Sequence, residues 1–230
     1  MKKCVFLLVA FLFTISCFSG CANSSYDKIS DNSTTTEVAS TQSNKSQEEY
    51  IQGFLTTSYW ESDCLNLRYD LPSGWRMTDP TLIEKANEAF RIDGEGHIEE
   101  MHAQADNYNN IPAVSIAAYD ISINYPNMTS AYDIAEKATN DAIEGLKNNA
   151  PNGVEYKFNI SKPQHYSFLD NDYIMVRAVV DTFFEGTKAT TQISWFLFRV
   201  VGDYAVSIMC ATSDFNDTFE DLMSGFSKLN

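Results

Sequence analysis

Asp93, His97, Glu99, Glu100 and His102 are the densest group of metal-ligating and proton-carrying side chains in the sequence. Imidazoles and carboxylates that converge can hold Zn²⁺ or relay protons. The spacing argues against convergence. On a helix, His97 and His102 would point about 140° apart. On a strand, their odd separation predicts opposite faces. The segment is therefore expected to be a solvated polar stretch with no metal. His165 stands alone and reads as a surface or strand-end residue. The acidic run of Asp214, Asp217, Glu220 and Asp221 complements the dipole at a helix start and lacks the alternating ligands and glycine of a calcium loop. Gly-x-Gly-x-x-Gly, P-loop, His-Glu-x-x-His, Cys-x-x-Cys and Gly-x-Ser-x-Gly patterns do not occur. No catalytic residue and no cofactor is expected.

Two other sets of residues could carry chemistry or recognition. Cys64 and Cys210 are the cysteines outside the N-terminal region. In an oxidising compartment they could close a long loop, worth ~3–5 kcal/mol if unstrained. Two buried thiols acting as small apolar groups are equally open. The Asp106–Asn110 and Asn124–Asn127 segments mix tyrosine with asparagine. Tyr108, Asn109 and Tyr125 thus form candidate partner-binding loops of rigid aromatic area and adaptable hydrogen bonding, and ordinary turn composition accounts for the same residues.

The N-terminus carries an address. Lys2 and Lys3 precede an apolar run from Cys4 to Phe18, too short to span a bilayer and matching the apolar core of a secretory signal. It ends in Phe18-Ser19-Gly20-Cys21, which resembles the lipobox of bacterial lipoproteins. The resemblance implies cleavage before Cys21 and a diacylglycerol on its sulfur. The expected organisation is a signal over 1–20, a Ser/Thr/Asn-rich flexible tether over 21–50 and a globular domain over 51–230.

Within that domain, alternation over 65–71 predicts a strand, and Leu71-Pro72-Ser73-Gly74 suits a type I turn. Asp79 and Pro80 open a helix to Arg91. Strands are expected at 97–105, 112–122 and 154–160. A helix over 130–148 lines up Ile134, Ala135, Ala138, Ala142, Ile143 and Leu146. The run 174–180 is apolar on nearly both faces, so both faces should be covered. Strands 188–201 and 204–212 flank Gly202-Asp203, a type II′ hairpin turn that would set Val201 against Tyr204 and Trp195 against Cys210. A last helix is expected from Asp214, aligning Phe215, Phe219, Leu222, Met223, Phe226 and Leu229.

The chain has 230 residues, 44% of them hydrophobic, and a net charge of -15. That composition forms a core, and the charge opposes binding to nucleic acid or to anionic lipid through a basic patch. Loss of Lys2 and Lys3 with the signal leaves 14 positive against 31 negative residues, or -17. The element order predicts an α+β fold, a mostly antiparallel sheet with helices on both faces. The stretch Cys64-Leu65-Asn66-Leu67-Arg68-Tyr69-Asp70-Leu71-Pro72-Ser73-Gly74-Trp75 and the hairpin around Gly202-Asp203-Tyr204 resemble the PsbP-like lipoproteins of Firmicutes. This resemblance covers about 55–230 and implies an α/β/α sandwich. It also implies an extracytoplasmic binding or accessory role. A lipid on Cys21 would hold the domain at the outer face of the cytoplasmic membrane, and the missing catalytic constellations make a non-catalytic module for an envelope protein the expected function, with a small-ligand or metal carrier as the alternative.

Overall fold

The computed structural model describes residues 50–106 and 111–229. The expected signal, Cys21 and nearly all of the expected tether lie outside the described residues, as do Tyr108 and Asn109. Tyr50, counted with the tether by composition, packs against the core.

Among the described residues, two antiparallel sheets and four helices make up the fold, which is α+β. The larger sheet runs in the order β4 (Trp75–Met77), β5 (His97–Ala105), β6 (Ala113–Asp120), β11 (Tyr204–Thr212), β10 (Thr187–Val201), β9 (Asn171–Phe184), β7 (Val154–Ile160), and β8 (Gln164–Phe168) also pairs with β9. The smaller sheet joins β1 (Phe54–Leu55), β2 (Tyr59–Ser62), β3 (Leu67–Asp70) and β12 (Phe226–Lys228). Strands β9 and β10 alternate between two cores, because both faces of the large sheet are covered. Tyr173, Ile193, Trp195 and Leu197 face the small sheet, with Trp60, Leu67, Tyr69 and Phe226 opposite. Ile174, Val176, Ala178, Val180, Phe196 and Phe198 face the helices.

Helix α1 (Pro80–Asp93) begins where expected: Asp79 accepts a 2.8 Å bond from the Thr81 amide and Pro80 takes the first turn. After the one-turn α2 (Ile121–Asn124), helix α3 (Ala131–Asn148) is capped by Ser130 and buries Ile134, Ala135, Ala138, Ala142 and Leu146. The β10–β11 hairpin has the register its two-residue turn dictates, including Val201 opposite Tyr204 and Trp195 opposite Cys210.

Four local expectations are corrected. The 65–71 strand begins only at Leu67, because Asn66 adopts a left-handed φ of 52°. The next turn closes one residue later than read: Trp75 N–H bonds to the Pro72 carbonyl at 3.1 Å, and Gly74 supplies φ 78° at the third position of a type II turn. The strand read to 122 stops at Asp120, whose carboxylate accepts from Ser122 N–H and starts α2. The C-terminal helix shrinks to α4 (Phe219–Leu222), held by a reciprocal Thr218–Asp221 capping box, while Asp214 closes a local turn on Asn216. Phe226 then leaves the helical line and joins β12, opposite Tyr69. The face turned toward the small sheet is thus covered by that sheet and by the one turn of α4.

Candidate functional site

The polar cluster read from the sequence is divided by one extra residue. In β5, Glu99 pairs with Ala117 and Met101 with Ile116, so Glu100 is a β-bulge. The bulge lets Ile98 and Met101 both turn toward the core that β5 shares with the small sheet. It also reverses the expected arrangement of the histidines. His97 is opposite Tyr119 and His102 opposite Ser115, so both lie on the helix-side face. They remain four cross-strand positions apart, roughly 13 Å. His97 is enclosed by ring contacts, stacked on Phe90 at 4.4 Å and tilted against Tyr119 at 4.9 Å, with Nε2 3.3 Å from Glu99 Oε2. His102 Nε2 lies 3.3 Å from the Gln104 amide. Among the described residues no three His, Cys, Asp or Glu side chains group to hold a metal ion.

Glu100, expected to be solvated, is only 1% exposed. Its carboxylate is a junction for the segment by which the chain enters the domain. The Tyr50 hydroxyl donates to Oε1, while Gly53 N–H at 2.9 Å and Trp60 Nε1–H at 3.0 Å donate to Oε2. Desolvation raises the Glu100 pKa above the ordinary glutamate value, and these three donors oppose that rise. Tyr50 also stacks on Tyr204 at 4.7 Å, and Cys64 Sγ–H donates to the Ile51 carbonyl at 3.3 Å. A buried carboxylate that accepts from Tyr50, Gly53 and Trp60, all near the start of the domain, acts as a fastening. The sequence carried one sign of it: Ile98 and Met101 are three apart, and both can face inward only if a residue is inserted between them.

Cys64 and Cys210 are free thiols. Cys64 holds the entry segment, whereas Cys210 sits in the core opposite Trp195, where burial raises its pKa and keeps it a neutral thiol. Tyr125 is not an exposed recognition residue. It is 4% exposed and packs edge-on to Tyr119 at 6.3 Å, because α2 folds the loop back onto the helix-side core. His165 lies on β8, exposed and opposite Ile174.

A concave feature lies between α3 and the large sheet. It is a narrow apolar cleft enclosing about 30 Å³, room for about one water-sized sphere. Its roof is Ala138, Thr139, Ala142, Ile143 and Leu146. Its floor is Phe158 and Ile160 of β7, Ala178 and Val180 of β9, Phe196 and Phe198 of β10, and Ser207 of β11. Three alanines at the helix–sheet contact leave room that larger side chains would fill. Thr139 already donates its hydroxyl to the Ala135 carbonyl at 2.7 Å, so the lining is apolar apart from Ser207. Sequence periodicity identified these residues as core and could not separate a filled contact from an open one.

No family model and no curated relative matches the chain. Among solved structures, the fold is similar to the solution structure of cyanobacterial PsbP (CyanoP) from Synechocystis sp. PCC 6803, with a TM-score of 0.41 and 11% identity over 79% of this chain and 98% of that one. It is also similar to a crystal structure from Bacteroides thetaiotaomicron, with a TM-score of 0.37 and 13% identity over 76% of this chain, spanning 50% of that one.

Proposed function

We propose that the protein is a lipid-anchored, extracytoplasmic binding domain without catalytic activity, held at the outer face of the cytoplasmic membrane through Cys21. The observation that carries this reading is the order of segments: a signal-like apolar run, small residues before Cys21, a polar tether, and a folded domain. The fastening of Tyr50 and Gly53 to Glu100 supports the reading, since a tethered domain must carry any pull at its point of entry. Cys21→Ser is expected to move the protein from the membrane fraction to the soluble one and to abolish labelling by radioactive palmitate. A variant that fractionates and labels like wild type would sink the anchor.

Its partner in this reading is an envelope protein, with a small ligand as the alternative. The protein-partner reading loses one of its loops, because Tyr125 is inside the core.

A further inference from the structure

We propose that two copies of this chain join edge to edge through β7, in an antiparallel pairing about a two-fold axis at Tyr156. Hydrogen bonds at its two ends show which way the β7 backbone points. Glu185 N–H donates to the Gly153 carbonyl at 2.9 Å, and Ser161 N–H to the Arg177 carbonyl at 2.9 Å. Both continue the β7–β9 register, in which Val154 lies opposite Phe184. Bonded positions alternate along an antiparallel pair, so residues 153, 155, 157, 159 and 161 turn their amides and carbonyls toward β9. Tyr156, Phe158 and Ile160 turn theirs to the outer edge, where among the described residues β7 has no second strand. The strands at the other ends of the two sheets are blunted by length: β1 has two residues, β4 and β12 three. β7 has seven residues in one uninterrupted register, without proline or bulge. A long, regular edge of this kind is a template for another strand.

The charges on β7 select a second copy as the occupant. Tyr156, Phe158 and Ile160 are half-buried on the helix face, and Glu155, Lys157 and Asn159 are exposed on the other. When Tyr156 lies opposite Tyr156 of the second copy, the two residues exchange both backbone bonds. Each Phe158 N–H then reaches the Val154 carbonyl across the axis, while Val154 N–H stays with the Pro151 carbonyl at 2.9 Å. Glu155 stands opposite Lys157 of the second copy, twice, at the closely spaced positions between the hydrogen-bonded pairs. The next register that keeps the hydrogen bonds sets Lys157 against Lys157, which like charge opposes. Lys147 Nζ lies 5.4 Å from the centre of the Phe158 ring and Lys157 Nζ 4.4 Å from that of Phe183. These two cations beside the edge offset locally the repulsion between chains of net charge -15. On the helix face, the Tyr156 and Phe158 rings, 6.2 Å apart, add aromatic contact across the seam.

Native mass spectrometry of the full chain released from mild detergent, at about 1 μM to about 100 μM protein, tests the pairing. The expected result is a dimer whose share rises with concentration. Tyr156→Pro removes an outward N–H that β9 does not use, a position where an edge strand tolerates proline. It should leave a monomer with the circular dichroism of wild type. Lys157→Glu sets Glu opposite Glu155 and should weaken the dimer roughly tenfold, whereas the exchange Glu155→Lys with Lys157→Glu should restore it to within about twofold. A wild type that stays monomeric across the range would overturn the proposal. So would a dimer that Tyr156→Pro leaves intact, since the copies would then meet through another surface. A double exchange as weak as Lys157→Glu alone would overturn the Tyr156-centred register. None of these results bears on the anchor, which the Cys21→Ser fractionation tests separately.

Discussion

Glu100 is the side chain whose environment departs furthest from what its type suggests. A buried carboxylate with a raised pKa binds its proton more tightly in the folded state than in the unfolded one. Its contribution to stability is therefore complete below the ordinary glutamate value and is lost as pH rises through the higher, folded value. Thermal melts from about pH 4 to about pH 8 should show wild type losing more stability than Glu100→Gln as pH rises above the ordinary glutamate value. A Gln oxygen can still accept from Gly53 and Trp60, and the Tyr50 hydroxyl can turn to accept from the amide. Glu100→Ala instead strands those donors and is expected to cost about 2–4 kcal/mol in denaturant unfolding. If the Gln variant kept the wild-type pH profile, the buried carboxylate would not be what titrates. Tyr69 makes a converse case: among the described residues its buried hydroxyl has no hydrogen-bond partner. Tyr69→Phe should be neutral or raise stability by up to about 1 kcal/mol, and a loss of more than that would mean the hydroxyl is bonded.

Among the elements, the smaller sheet depends on one close approach. Residue 225 leads into β12, and a Cβ there would lie 2.7 Å from Tyr69 Cε2 and 2.9 Å from the Asp70 carbonyl. Glycine lets β12 reach β3, so that Phe226 pairs with Tyr69, their rings 4.8 Å apart. Gly225→Ala is expected to cost about 1–3 kcal/mol through overpacking and to speed amide exchange in β12 and β3 before the large sheet is affected. Uniform exchange across both sheets would mean that the small sheet opens only with the whole fold. Helix α3 depends on the opposite kind of fit. Its alanines face β9 and β10 without filling the space between, and an amphipathic pattern reads the same in both cases.

For the molecule as a whole, excess negative charge is the dominant long-range term. Self-repulsion in a chain of 16 positive and 31 negative side chains should be screened by salt. The melting temperature is therefore expected to rise between about 10 mM and about 150 mM NaCl. A fall would mean that surface ion pairs such as Arg68–Glu61 and Lys188–Asp181 outweigh the net repulsion. The large sheet is the scaffold for both features of interest, with the Glu100 fastening on its small-sheet face and the cleft on its helix face.

Much of this architecture was legible in the chain itself. Apolar alternation, the Asp79-Pro80 and Ser130 helix starts and the Gly202-Asp203 turn determined α1, α3, β7 and the β10–β11 register, because each depends on interactions within a few residues. The α+β class followed from their order. What pairing at long range controls was not legible. The Glu100 bulge is visible only once β6 lies beside β5, and it turns a solvated polar segment into a buried anchor point. The C-terminal apolar residues fit a helix until β3 offers Phe226 a partner. The cleft is a difference between two surfaces, α3 and the sheet, and no one-dimensional pattern records the distance between surfaces. Local chemistry thus decided which elements form, and tertiary packing decided which side chains are enclosed and where space remains.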